Sequence, residues 1–164
     1  MFRDMGLTLD DFGDVIDVRC PRCGQHAQVM RIIPAEDEQQ ANDSAHEKYM
    51  RLFDPRKLSC LHCGQTKIWH GRGIRQYSPY DWYFGLPLWL QTPCCGSTLW
   101  ALNRAHLDFL EQYVTAQQRA KLRTPGPGLI RNQSIASRLP RWMKSAKNRE
   151  TVTRSLPRLK SLLD

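Results

Sequence analysis

Four cysteines stand in two matched units, Cys20-Pro21-Arg22-Cys23-Gly24 and Cys60-Leu61-His62-Cys63-Gly64. Thiolates three positions apart converge on one point when the backbone between them turns tightly. A glycine after the second cysteine permits the positive φ that such a turn needs. The turned backbone also aims N–H groups at the sulfurs and stabilises their charge. Two units supply four soft ligands, which suits one tetrahedral zinc ion, with iron open as the alternative. Redox chemistry at either pair is the competing reading, and two copies with the same trailing glycine favour metal over it. Four sulfurs leave no open position for water, so the expected ion is structural rather than catalytic.

The paired units resemble the knuckles of the zinc-ribbon group, rubredoxin-type turns in which each Cys-x-x-Cys-Gly leads into a strand. The resemblance covers Cys20, Cys23, Cys60 and Cys63 with Gly24 and Gly64. It implies a short antiparallel sheet holding a structural metal. Many such ribbons belong to transcription, translation and DNA-processing proteins, while others brace a fold or contact protein. The 36 residues between Cys23 and Cys60 make a longer insert than a minimal ribbon has.

Cys94-Cys95-Gly96 reads as half a knuckle, with Thr92 where the first cysteine would stand. Three readings are open. The thiols are buried and inert; or they form a second metal site completed by His62 or His70; or they are a reactive vicinal pair. Beside them, Tyr77 to Trp89 concentrates aromatics near Arg72 and Arg75. Such a segment is either a surface on which bases stack or an irregular buried loop.

Charge divides the chain. Residues 1–47 carry four basic and ten acidic side chains, net −6, and residues 48–164 carry twenty basic and six acidic, net +14. Residues 119–160 hold twelve basic side chains against Glu150 alone. That imbalance points to an acidic partner, nucleic acid first, with an internal contact between acidic front and basic back as the alternative. Arg138, Arg141, Lys144, Lys147 and Arg149 recur three or four apart, so one helix would gather several on a face for phosphate contact. A protein-interaction adaptor braced by zinc is the second reading of the same chain. No Gly-rich phosphate loop, Gly-x-Ser-x-Gly or His-Glu-x-x-His is present, and no enzyme is expected. The first residues lack an apolar signal core, and the longest apolar stretch, Phe84 to Leu90, falls short of the roughly 20 residues a membrane span needs. The expected location is the cytoplasm, without membrane association.

The expected class is α+β: a zinc-β-ribbon with an aromatic-rich loop and a basic helical C-terminal part. Residues 1–18 read as an acidic leader, 19–102 as the ribbon domain and 103–164 as helical, with a Pro/Gly hinge at 124–128. Strands are expected over Gln28–Ile33, Thr66–His70 and Ser97–Leu102. Asp43 or Ser44 caps a short helix running to about Phe53. Asn103 caps an amphipathic helix carrying Leu107, Leu110 and Val114 and ending near Arg123. Ile135, Leu139, Trp142 and Met143 form a further apolar stripe, with a boundary or kink at Pro140. A last helix starts near Arg149, with Pro157 a break or a first-turn residue.

Overall fold

The computed structural model describes residues 1–33, 44–71, 73–76, 78–116, 119–120 and 133–164. The hinge at 124–128, Arg72 and Tyr77 lie outside them. In chain order the strands are β1 (Phe2–Arg3), β2 (Val15–Arg19), β3 (His26–Arg31), β4 (Arg56–Ser59), β5 (Thr66–Trp69), β6 (Leu90–Cys94), β7 (Ser97–Ala101) and β8 (Arg119–Ala120). The helices are α1 (Ala45–Arg51), α2 (Arg104–Thr115), α3 (Ile135–Arg138), α4 (Arg141–Lys144) and α5 (Arg149–Ser161), and the class is α+β.

Strands β2-β3-β4-β5 make an antiparallel sheet, β6 and β7 a hairpin, and β1 pairs in parallel with β8. Period-2 patterning sets the register of the large sheet. Ile16 lies opposite Val29 and Val29 opposite Leu58, and all three are fully buried. Val18, Ala27, Leu52, Trp82, Tyr83, Leu88 and Leu102 complete that core. A second core lies between the hairpin and the C-terminal helices. Leu107, Leu110 and Val114 of α2 meet Val152, Leu156 and Leu159 of α5 over Leu90 and Leu99.

Local chemistry fixes the helix ends. Ser44 and Glu47 form a reciprocal capping box on α1, with Ser44 Oγ accepting from the Glu47 N–H and Glu47 accepting from the Ser44 N–H at 2.7 Å. Asn103 Oδ1 accepts from the His106 N–H at 3.0 Å and caps α2. Its Nδ2 donates to Phe12 O at 2.7 Å and Val15 O at 2.6 Å, so the cap also ties the helix to the sheet.

Several expectations change. The sheet begins at Val15, inside the stretch read as an acidic leader, because Asp17 is a buried strand residue whose carboxylate is satisfied by His26 and Gln28. Helix α2 stops at Thr115 rather than near Arg123, and Arg119 lies in β8. Residues 138–149 are not one helix. Pro140 caps α4 and Ser145 ends it, so the five basic positions are spread over α3, α4, a 3-10 turn and the start of α5. Helix α5 runs through Pro157, which is exposed. The aromatic segment is chiefly core: Trp82 and Tyr83 are buried, and Phe84 packs against the same cluster.

Candidate metal centre and basic surface

Each cysteine pair sits where a strand turns back on its neighbour, the first between β2 and β3 and the second between β4 and β5. The two turns are built alike. Gly24 N donates to Cys20 O and Gly64 N to Cys60 O, both at 2.9 Å. Cys20 N donates to Gln25 O at 2.8 Å and Cys60 N to Gln65 O at 2.9 Å. Gly24 and Gly64 adopt φ of 73° and 74°, where a side chain would strain the backbone.

The β2-β3-β4-β5 order brings both turns to one end of the sheet, and their sulfurs meet. All four Sγ atoms lie within 4.8 Å of one another, with Cys20–Cys63 and Cys23–Cys60 both at 3.7 Å. A tetrahedron of sulfurs about 2.3 Å from a central ion has edges of about 3.8 Å. The thiols therefore already stand at the separation of a tetrathiolate site, and they are close enough to hold a metal ion. Two of the four, Cys20 and Cys60, are buried; the other pair is half-buried. Among the described residues no other cluster of three or more His, Cys, Asp or Glu side chains gathers its ligand atoms this way.

The acidity of the thiols fits the same chemistry. Burial opposes a Cys20 thiolate, but the N–H groups of Cys23 and Arg22 and the adjoining thiols outweigh it and bring its pKa down to about 7. At Cys23 the N–H of Gln25 favours the thiolate, yet burial and competition with Cys63, Cys60 and Cys20 push the pKa up to about 12. One sulfur ionises readily and another resists because like charges share one site. A cation among them removes that conflict.

The neighbouring side chains brace the turns. His26 Nε2 lies 2.7 Å from the buried Asp17 Oδ1, and Gln28 Nε2 donates to the same oxygen at 3.0 Å. The His26 carbonyl accepts from Cys60 Sγ at 3.6 Å, and its ring stacks on Trp89 with centroids 5.4 Å apart. Arg19 lies over the same indole at 5.5 Å.

Comparison of the chain with protein families, with curated proteins and with solved structures finds no match.

Cys94 and Cys95 form no knuckle. Cys95 and Gly96 have φ of 53° and 73°, and Cys94 pairs with Ser97, so the two central residues make the tight turn of the β6-β7 hairpin. The two sulfurs are 3.6 Å apart, and Cys94 is buried beside Ser155 Oγ at 3.7 Å. Burial raises the Cys95 pKa, and Cys94 adds to the rise, which favours the protonated thiol. Neither His62 nor His70 joins them in a ligand cluster.

The five sequence-selected basic residues divide in two. Arg138, Arg141 and Lys147 are exposed and have no ion-pair partner among the described residues. Lys144 is half-buried and donates to Ser137 O at 2.5 Å, and Arg149 is half-buried with Nε sealed from solvent. Further along α5, Arg154 pairs with Glu150, and Lys160 with Asp108 and Glu111.

Among the described residues, sequence reasoning missed three buried charged residues, Asp17, Arg56 and Asp81. Arg56 is 1% exposed, with its guanidinium bonded to Gly13 O and Arg51 O and lying over the Tyr83 ring. Asp81 is also 1% exposed and accepts from the N–H groups of Tyr83 and Phe84 at 2.8 Å and Leu86 at 2.5 Å, which shapes the aromatic loop. Burial outweighs those bonds and leaves its pKa above the ordinary carboxylate range. The sole signal for Asp81 was its position in an aromatic run, where a carboxylate needs a local set of donors.

Proposed function

We propose that the four cysteines hold one structural zinc in a ribbon-like sheet, and that the protein binds nucleic acid through Arg138, Arg141 and Lys147. The metal reading rests on the sulfur geometry. A tetrahedral set of four thiolates suits zinc and iron alike, and a colourless purified protein is the result expected for zinc.

The observation that carries the nucleic-acid reading is the set of three exposed cations within ten residues, without ion-pair partners among the described residues, in the stretch 48–164 with net charge +14. A surface that serves only solubility mixes signs. Cations without local acids are positioned for a polyanion, where each phosphate neutralised releases bound counterions. Lys144 and Arg149 are left out of this contact set, since one is spent on Ser137 and both are half-buried.

A protein partner is the competing reading. Leu61, at the tip of the second cysteine turn, is 98% exposed, and a large apolar side chain at a turn tip suits a partner's pocket.

The test is binding of the metal-loaded protein to labelled DNA and RNA across a salt series. Affinity falls steeply with salt, and replacing Arg138, Arg141 and Lys147 together by Gln lowers the slope of log affinity against log salt by about two to three. Binding that is unchanged by the triple replacement, or absent at low salt, defeats the reading and moves attention to Leu61.

A further inference from the structure

A cavity of about 420 Å³ opens at the seam between the two cores. That size falls within the ordinary range of small-ligand sites. Its walls include Trp100 of β7 and Trp142 of α4, both half-buried, so each indole leaves part of its surface uncovered. The lining also includes Gln76, Gln133 and the carboxylate of Asp10. Gln76 Nε2 donates to Asp10 Oδ1 at 2.8 Å, which ties the two side chains together. Arg138 belongs to the lining too, and its guanidinium is exposed and unpaired among the described residues.

The deep wall is preorganised. His106 is 2% exposed, stacks on Phe12 at 5.2 Å and meets Trp100 edge-on at 5.6 Å. Its Nδ1 accepts from the Leu102 N–H at 3.1 Å, which assigns the ring proton to Nε2. Burial drives its pKa down to about 3, so it presents a neutral ring and not a cation. The positive charge of the site is thus confined to its rim, at Arg138.

We propose that this cavity receives one unpaired base of a bound single strand, with Arg138 on the adjoining phosphate. This inference rests on the nucleic-acid reading above. Three features argue for a base in particular. Indole faces stack bases whatever their sequence. Carboxamides present a donor and an acceptor side by side, matching the hydrogen-bonding edge of a base. And the cation lies on the same short segment as Trp142, with Arg141 exposed between them, so the phosphate contacts and the base site are continuous. A base within a duplex keeps both faces stacked and cannot enter, which makes single strands the preferred form.

The experiment titrates the full, metal-loaded chain, by tryptophan fluorescence and by labelled-strand anisotropy, with four probes: a short single-stranded oligonucleotide, its duplex, the same single strand carrying abasic positions, and free mononucleotides. The single strand is expected to quench tryptophan emission saturably and to bind more tightly than the duplex and the abasic strand. Trp142→Ala weakens the single strand roughly tenfold, the size of one lost base stack, with little change for the duplex. Thr98→Phe, at an exposed position on the cavity wall, blocks the base without removing an indole and gives the same loss should Trp142→Ala fail to fold. Single strand, duplex and abasic strand binding alike, and unaffected by either variant, overturns the base site while leaving the phosphate surface standing. Mononucleotides that bind in a Trp142-dependent way when no oligonucleotide does overturn the strand, and leave the cavity a site for a free nucleotide. No binding of any probe overturns both readings.

Discussion

Removing the metal from the four-cysteine site, by a strong chelator or by Cys60→Ser, unfolds the four-stranded sheet and leaves the α2–α5 packing largely in place. The reason lies in how little the sheet buries at its far edge. In β5, Thr66, Lys67 and Ile68 are exposed and Trp69 is half-buried, so β5 is held by its ladder to β4, by the cysteine turn that starts it and by the edge-on contact of Trp69 with Tyr83. A structural zinc contributes about 10–16 kcal/mol in small zinc modules, as much as or more than the roughly 5–15 kcal/mol that separates a whole domain from its unfolded state. The α2–α5 core is independent of the sulfurs: Leu107, Leu110, Leu156 and Leu159 are almost fully buried without any cysteine of the four. Hydrogen exchange followed by mass spectrometry reads the difference. Amides of β2, β3, β4 and β5 lose protection on chelation, and those of α2 and α5 keep it. Uniform protection before and after chelation would mean that the sheet stands without metal.

The second large effect falls on Arg56, which has no part in the metal site. Its Nη1 donates to Gly13 O and its Nη2 to Arg51 O, both at 2.9 Å, and its guanidinium lies 4.5 Å over the Tyr83 ring. Tyr83 in turn donates to Leu52 O at 2.9 Å. One side chain thus fastens the entry to β2, the end of α1 and the aromatic loop. Burial disfavours its charged form and lowers its pKa, while Tyr83 and the carboxylates of Asp14 and Asp54 oppose that shift. Arg56→Ala opens a cavity and leaves two carbonyls without donors, at a cost of about 3–5 kcal/mol. Arg56→Lys keeps the charge but cannot reach both carbonyls with a planar fork, and falls between. Urea denaturation at constant m-value measures both. A loss below about 1 kcal/mol for Arg56→Ala would show that water replaces the guanidinium without strain.

The four-cysteine site and Arg56 mark what the sequence reveals and what it hides. The metal site is local chemistry repeated twice: the spacing, the glycine and the flanking strand all lie within six residues, and the sheet only has to bring the halves together. The caps at Ser44 and Asn103 are legible for the same reason. Arg56 and Asp17 are not legible, because a charged residue is read as exposed until its partners are known, and those partners arrive from across the fold. Asp17 makes residues 15–18 read as the end of an acidic leader, whereas Val15–Arg19 is a strand with a buried centre. Cys94-Cys95-Gly96 misled in the opposite direction. It shares a Cys-Gly ending with the knuckles, but Cys95 and Gly96 both take positive φ, and the result is a hairpin turn. The basic run misled through proline and serine breaks, since a spacing of three or four means one face only while one helix lasts.

The cavity between Trp100 and Trp142 was beyond sequence reading altogether. The two residues are 42 positions apart and line one cavity because the β6-β7 hairpin and α4 share a core through Leu99 and Met143. The denser aromatic run offers no such site, because Trp82 and Tyr83 are buried beside Asp81.

Metal content of the purified chain and of two double variants decides whether the four cysteines hold the ion. One metal ion per chain is expected, lost in Cys20→Ser/Cys63→Ser and retained in Cys94→Ser/Cys95→Ser. Two ions per chain, no ion, or an ion that leaves with Cys94 and Cys95 would contradict that assignment.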